Sequence, residues 1–395
     1  WQRLRLHSLF LSLHHPLQLL RTHMKTITLY SSSLSLYAGR ARSYLINANL
    51  DFRETIPNTQ YFKETVLPKA GHRQSLPTIE LPDGEVIRDG AAIIDHFESA
   101  NGHRFSPTTP KHRVLSRLFD VIGAEGLLRP AMHYRWNFDD INKEFLQYHF
   151  SELMPSGPNR IAQAEKSMNQ MRNACMAFGA VPDTFELVEA LYTELLAALN
   201  AHFSEVPYLL GNKPCIGDFG MIAPLFAHLG RDPKPLSMMQ SDAVRLFRWV
   251  ERMNRPEPDI GEFAEQTDVY LANDEVPQTL INLLRQIAID FVPETKAAAE
   301  TINHWLAQQP NLAAGTQVQR GVGMGSFEVR GVTVNALAQP YRFYLLSRVQ
   351  QEFQSLTEAE QHSVTALLKT CHMEAILDCK ISRDIGRKDN LEVWL

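Results

Sequence analysis

Alternating apolar and polar residues predict the first strand of the chain. The stretch at residues 25–32, "KTITLYSS", alternates and is rich in residues that favour β-structure. A helix is predicted within "LYAGRARSYLINANL", because Ala41, Leu45 and Ala48 share one face. We predict a second short strand at "DFRETIP".

A hairpin and a helix are predicted next. Two short β-rich runs, "PTIEL" and "EVIRD", flank the turn sequence Pro82-Asp83-Gly84. The apolar spacing of "AAIIDHFES" predicts a helix, which Asn101-Gly102 would end. The predicted order is therefore βαβ followed by ββα.

The rest of the chain has a different pattern. Residues 111–260 look helical, with no convincing strand. Beyond them, helices are predicted at "TKAAAETINHWLAQQ" and "YRFYLLSRVQQEFQ", and a capping box at Thr357 and Glu360 predicts the start of a third. Between the first two, "TQVQRGVGMGSFEVRGVTV" is typical of a β-hairpin.

Composition narrows the class of protein. The length of 395 residues suggests two or three domains, and 44% hydrophobic with 21% charged residues is typical of a globular protein. The net charge of −5, without a block of Lys and Arg, argues against nucleic acid as a partner. No apolar run is long enough for a membrane span, so no membrane partner is expected.

Cysteine usage favours a reducing, cytoplasmic location. The four cysteines form no C-x-x-C pair, and they are Cys175, Cys215, Cys371 and Cys379. The first 23 residues contain Arg and His but no acidic residue. We interpret residues 1–23 as a leader outside the native fold, with Met24 as the natural start; a targeting peptide is the alternative.

Asp89-Gly90 stands where a helix begins, and two interpretations are open. Asp89 can simply cap the helix. Alternatively, the free N–H groups near Gly90 and Ala91 bind a ligand carboxylate while Asp89 pairs with an adjacent ammonium, as a free α-amino acid end would require. Pro77, at a strand start, favours a ligand site, because a cis bond would free the backbone of Leu76 to pair with a peptide-like ligand.

Metal and nucleotide sites are not expected. Gly321, Gly323 and Gly325 do not form the G-x-G-x-x-G pattern, and no βαβ unit surrounds them. The histidines show no metal-ligand spacing.

Three stretches together resemble the glutathione S-transferase superfamily. They occur in the family's order and are "ITLYSSSLSLYAGRARSYL", "SLPTIELPDGEVIRDGAAIIDHFE" and "PYLLGNKPCIGDFGMIAPLFAHL". The likeness covers about residues 24–260, and "PAMHYRW" and "AHLGRDP" resemble a bacterial subset with a long extension. It implies an α/β thioredoxin-like N-terminal domain and an all-α C-terminal domain, with a mostly helical extension. The predicted bounds of the three are 24–103, 111–260 and 261–395.

The resemblance implies a thiolate-stabilising hydroxyl after the first strand. Ser35 matches that position, with Ser32, Ser33 and Tyr30 as rivals because the run of serines leaves the register loose. No cysteine lies between Met24 and Ala174, which excludes dithiol chemistry in this domain.

The second of these stretches, within the predicted N-terminal domain, matches the family at three positions and departs from it at one. Leu76 and Pro77 match the cis-proline dipeptide that pairs with the cysteinyl part of glutathione, and Asp89 matches the residue that holds the γ-glutamyl ammonium. Gly90 departs from the usual Ser or Thr, so one hydroxyl donor is missing, which weakens binding roughly tenfold to a hundredfold.

Asp218, in the third stretch, matches a helix-start box of the family in which Cys215 replaces the usual hydroxyl residue. We interpret Asp218 as a folding residue.

The helical half has its densest candidate chemistry at "RPAMHYRWNF". The resemblance implies that Arg135 holds a carboxylate and that Tyr134 donates to a developing oxyanion of the substrate, although a helix with buried aromatics and exposed polar groups is the simpler explanation.

The resemblance thus implies a glutathione transferase. Bound glutathione thiolate would attack a small electrophile, with no metal or nucleotide cofactor, in a cytoplasmic homodimer. The alternative is a non-catalytic binding or assembly protein of the same fold.

Overall fold

The computed structural model describes residues 26–256, 262–264 and 267–395. The predicted leader and Met24 lie outside the described residues, as does the predicted boundary at 260/261. The other domain bounds stay predictions.

A four-stranded mixed sheet begins the fold. Its strands are β1 (Ile27–Tyr30), β2 (Phe52–Thr55), β3 (Thr78–Glu80) and β4 (Val86–Arg88). Their order is β2-β1-β3-β4, with β1 parallel to β2 and antiparallel to β3, and β3 antiparallel to β4. The helices of this part are α1 (Leu36–Asn47), the single turn α2 (Leu67–Lys69) and α3 (Gly90–Ala100). The predicted βαβ and ββα order is confirmed, and the thioredoxin-like sheet with it.

Helices follow as expected, and no named strand lies between residues 101 and 256. They are α4 (Pro110–Val121), α5 (Leu128–Trp136), α6 (Asp139–Glu152), α7 (Arg160–Ala177), α8 (Phe185–His202), α9 (Ile216–Ala227), α10 (Pro233–Asp242) and α11 (Val244–Met253). A π-helical turn, Ile122–Gly126, joins α4 to α5. The carboxylate of Asp218 accepts from the N–H groups of Cys215 (2.9 Å) and Leu209 (3.1 Å), at the start of α9.

The carboxy-terminal region, residues 267–395, combines helices with two hairpins. Its elements are α12 (Gln278–Ala307), β5 (Met324–Val329), β6 (Val332–Leu337), α13 (Pro340–Gln354), α14 (Glu358–Thr370), β7 (Ile385–Lys388) and β8 (Leu391–Trp394). The β5–β6 hairpin and the capping box of Thr357 with Glu360 are confirmed. Two features were not predicted: α12 begins well before residue 295, and β7 and β8 form a second hairpin.

One apolar core joins the three parts. Leu29 of β1, Leu118 of α4, Leu283 of α12 and Leu346 of α13 are fully buried in the same cluster. The carboxy-terminal region is therefore packed into the folded body, with α13 against α4.

Candidate functional site

The loop from β1 to α1 presents the serine run. Ser35 is the N-cap of α1, and its Oγ accepts a hydrogen bond from the N–H of Ala38 at 3.3 Å. The side chain is half-buried. Because the N–H takes a lone pair of Oγ, the hydroxyl proton of Ser35 remains able to donate.

The three alternatives to Ser35 differ from it in burial or in hydrogen bonding; they are Tyr30, Ser32 and Ser33. Tyr30 is buried and donates to Glu80 Oε2 at 3.0 Å. Burial and that bond raise the pKa of Tyr30 far above its ordinary value. Ser32 is 9% exposed and accepts from the N–H of Leu34, whereas Ser33 is half-buried.

The peptide bond between Leu76 and Pro77 is cis. The carbonyl of Pro77 accepts a hydrogen bond from the N–H of Asp89 at 3.0 Å. This bond ties the start of β3 to the start of α3. Four of the predicted site residues, Leu76, Pro77, Asp89 and Gly90, thus lie together.

Asp89 has an unusual backbone, with φ 85° and ψ 135°, a region that side-chain-bearing residues rarely occupy. From this position its Oδ1 accepts from the N–H groups of Ala91 (3.0 Å) and Ala92 (3.2 Å). Asp89 is therefore the N-cap of α3, as the simpler interpretation held. The cap by itself does not exclude a ligand, because it uses only Oδ1.

Gly90 packs against a buried arginine. A Cβ at Gly90 would lie 2.5 Å from Cδ of Arg40, whose guanidinium forms a buried ion pair with Asp120. Only glycine fits beside that side chain in this arrangement. The departure from Ser or Thr therefore has a packing reason.

Comparison with known proteins decides the family of this part. The profile of the family described as "Glutathione S-transferase, N-terminal domain" matches residues 29–105. Residues 29–105 therefore form a domain of the glutathione S-transferase N-terminal type. No curated protein sequence matches the chain.

Solved structures of glutathione transferases and of a β-etherase are similar to this chain at low sequence identity. A glutathione transferase from Phanerochaete chrysosporium shares 15% identity over 60% of this chain and 99% of its own, with a TM-score of 0.43. A β-etherase from Sphingobium shares 18% over 58% of this chain and 95% of its own, with a TM-score of 0.38. A glutathione S-transferase from Methylobacterium radiotolerans, in complex with glutathione sulfonate, shares 15% over 57% and 89%, with a TM-score of 0.34.

The carboxy-terminal region covers the glutathione S-transferase domain at Asp89. The hydroxyl of Tyr341, on α13, donates to Oδ2 of Asp89 at 2.7 Å. Nη1 of Arg387, on β7, lies 3.8 Å from Oδ1. Burial raises the pKa of Asp89, but nearby guanidinium groups, that of Arg387 first, outweigh burial, so its pKa lies below the ordinary value.

Arg88 anchors the second hairpin beside Asp89. Its Nη2 donates to both carboxylate oxygens of Glu392 at 2.6 and 2.7 Å, and its Nε donates to the carbonyl of Asn390. Glu392 also pairs with Arg387 and Arg73. Sequence reasoning missed these contacts, because no motif marks Tyr341, Arg387 or Glu392.

Arg135, predicted to bind substrate, is engaged with the protein. Its guanidinium donates to both oxygens of Asp232, at 2.6 and 2.9 Å, and to the carbonyls of Leu34 (2.9 Å) and Ala227 (2.7 Å). It is 3% exposed. In this structure Arg135 therefore fixes the residue before Ser35 and is not open to a substrate carboxylate.

Tyr134 lies among aromatic rings. It is 1% exposed, stacks on Phe138 and contacts Tyr192, with ring centroids 5.3 and 4.6 Å away. Burial raises the pKa of its phenol far above the ordinary value.

A buried glutamate connects all three parts of the fold. Oε1 of Glu125, in the π-helical turn, accepts from the hydroxyl of Tyr37 at 3.3 Å, and Arg342 of α13 donates to its carbonyl. Burial raises the pKa of Glu125 to about 7, even though Arg342 favours the charged form.

Metal and membrane features are absent from the residues that the structure describes. Those residues include no group of three or more His, Cys, Asp or Glu side chains suited to a metal ion. Among them, too, no helix is both long enough and apolar enough to cross a bilayer.

Proposed function

We propose that the protein is a transferase of the glutathione S-transferase type, with Ser35 stabilising the thiolate of a bound thiol. The thiolate sulfur would form a bond to an electrophilic carbon, and the leaving group would depart with its bonding pair. The thiol proton would pass to solvent. Glutathione is the thiol that the sequence resemblance predicts, any cysteinyl thiol would serve the same step, and the partner would be a small electrophile.

The environment of Ser35 is the observation that carries the proposal. Its Oγ caps α1, so a sulfur beside it would also face the positive end of that helix. Both the helix end and a donated O–H favour the thiolate over the thiol. Two observations support the choice of Ser35: the hydroxyl of Tyr30 already donates to Glu80, and Ser32 is more buried than Ser35.

We propose that the backbone N–H and C=O of Leu76 pair with the cysteinyl part of the bound thiol. We assign Arg135 a positioning role, because its bond to the carbonyl of Leu34 supports the loop that carries Ser35. A substrate-binding role of Tyr134 stays a prediction, since its side chain is buried. The homodimer and the cytoplasmic location stay predictions.

A rate comparison of serine variants tests the proposal. Substitution of an activated aryl halide by the thiol, with release of halide, is followed spectroscopically, with glutathione and with small thiols in turn. Ser35→Ala should lower kcat/KM at least tenfold, whereas Ser33→Ala should leave it unchanged. Equal rates for Ser35→Ala and the unmodified protein would remove Ser35 from the mechanism.

A second candidate is a non-catalytic binding or assembly protein of the same fold. It is favoured by one observation, the cover of Asp89 by Tyr341 and Arg387. No thiol-dependent turnover with any thiol, together with a stable partner in pull-down experiments, would support it.

A further inference from the structure

The surroundings of Asp89 bear on which thiol the protein accepts. A carboxylate offers about four lone-pair positions for hydrogen bonds. The N–H groups of Ala91 and Ala92 take two of them on Oδ1, and the hydroxyl of Tyr341 takes one on Oδ2. Three of the four positions are thus taken within the chain, and Tyr341 takes one of the two on Oδ2 to which a ligand ammonium would donate.

The charges around Asp89 also disfavour a ligand ammonium. The guanidinium of Arg387 lies 3.8 Å from Oδ1, and those of Arg88 and Arg40 contribute to the same field. A cation approaching Asp89 would meet these positive groups at close range, where repulsion is strong because the site is largely shielded from water.

The α-carboxylate of an amino acid ligand would also lack a side-chain hydrogen-bond donor at residue 90. The methylene groups of Arg40 fill the space where a side chain at residue 90 would stand, so no hydroxyl donor is present there. Arg40 cannot easily withdraw, since it is 1% exposed and ion-paired with Asp120.

Tyr341 and Arg387, the two residues that cover Asp89, are held in place by buried contacts. The residues after Tyr341, Arg342 and Phe343, are buried, and Arg342 donates to Thr295 Oγ1 and to the carbonyl of Glu125. Arg387 is held by Glu392 and by the carbonyl of Arg88. Displacing Tyr341 and Arg387 together would disrupt several buried bonds.

We propose that Tyr341 and Arg387 exclude a free α-amino acid end from Asp89, so that the protein selects thiols without one. This inference rests on the proposed function, which requires a bound thiol. N-Acetylcysteine represents the accepted class, because it carries the cysteinyl thiol and carboxylate without a free ammonium. Glutathione represents the excluded class.

Calorimetric titration of the full chain with each thiol tests the inference independently of turnover. The unmodified protein should bind N-acetylcysteine and show no saturable binding of glutathione at millimolar concentration. Tyr341→Phe removes only the hydroxyl, and it should strengthen glutathione binding tenfold or more, since a bond to a charged group is made available. Binding of N-acetylcysteine should not change.

Tyr344→Phe is the matched control. Tyr344 lies one turn along α13, its ring centroid 5.7 Å from that of Tyr341, and its hydroxyl is not bonded to Asp89. This variant should bind both thiols as the unmodified protein does. Thermal unfolding of both variants checks that the fold is retained.

Two results would overturn the inference. One is saturable glutathione binding by the unmodified protein that Asp89→Ala weakens. The other is glutathione binding by Tyr341→Phe no tighter than by the control. If glutathione binding appears in Tyr341→Phe while no thiol is turned over by any variant, the inference holds and the proposed transferase fails.

Discussion

Tyr341 donates its hydroxyl proton to Asp89 across 252 positions of sequence, at an oxygen–oxygen distance of 2.7 Å. The bond joins the start of α13 to the start of α3. Because Asp89 also caps α3 through Oδ1, one carboxylate serves both a local and a long-range contact. Changes at this point should therefore affect the stability of the fold as well as ligand binding.

Gly90→Ser tests the packing reason for the family departure. The new Cβ would lie 2.5 Å from Cδ of buried Arg40, so overpacking should lower the free energy of unfolding by roughly 1–3 kcal/mol. Urea denaturation measures the change. Ala92→Ser, two positions along the same helix, is the control and should shift stability little. A stabilised Gly90→Ser protein that binds glutathione would contradict this reasoning.

Glu392→Gln tests the anchoring of the second hairpin. Glu392 is 3% exposed and contacts three arginines, so its neutralisation leaves buried guanidinium groups without their counter-charge. Breaking a buried ion pair costs about 3–5 kcal/mol. The midpoint of urea unfolding should fall accordingly. Glu374→Gln, at an exposed position, serves as the control and should stay close to the unmodified protein.

Glu125 should make stability depend on pH. Its pKa is about 7 in the folded protein, against 4.5 for the group in its ordinary state. The folded state therefore binds more protons than the unfolded state between those values, and stability falls as pH rises through that window. This pKa shift should lower the free energy of unfolding by about 3 kcal/mol between pH 4 and pH 8.

Glu125→Gln removes this titration. The variant should gain stability relative to the unmodified protein as the pH rises from 5 to 8, measured by urea unfolding at each pH. If the two stability profiles run parallel over that range, Glu125 does not titrate in the folded state near neutrality.

Arg135 and Asp232 should behave as one unit. Arg135→Gln and Asp232→Asn each leave a buried partner without its counter-charge, so each should cost about 3–5 kcal/mol. The double variant should cost less than the sum, by about 1–3 kcal/mol, as contacting residues do. A double-mutant cycle of unfolding free energies measures the coupling. Additive losses would mean that the two side chains act independently.

Arg135→Lys separates positioning from charge. Lysine keeps the positive charge but cannot donate to Asp232 and the carbonyl of Leu34 with the same planar fork. If Arg135 positions the Ser35 loop, kcat for the substitution by the thiol should fall while KM for the electrophile stays similar. A rise in KM alone would instead indicate substrate contact.

Local features were predictable because they depend on neighbouring residues. The hairpin at Pro82-Asp83-Gly84, the capping box at Thr357 and the helix after Asp89 were each carried by a few adjacent positions. The period of the hydrophobic residues and the choice of turn residues are enough to predict such elements. The family resemblance similarly rested on short stretches within the first half of the chain.

The contacts that define the site depend on distant residues, and no pattern in the sequence indicated them. Arg88 meets Glu392 across 304 positions, and Arg40 meets Asp120 across 80. Nothing in the spacing of Tyr341 or Arg387 marks them as partners of Asp89. The role of Arg135 was obscure for the same reason, since its partner Asp232 lies 97 positions away.

The side chain of Asn390 affects whether the edge of the sheet can pair with a strand of another molecule. Its side-chain amide donates to the carbonyl of Val86 and accepts from the N–H of Arg88, so it satisfies main-chain groups along the outer side of β4. Unpaired main-chain groups at such an edge would otherwise be a template for a strand from another chain. The opposite edge, β2, carries Arg53 and Glu54, and charged side chains there discourage pairing. The sheet is thus protected at both sides against β-augmentation and edge-to-edge aggregation, at one side by an amide and at the other by charge.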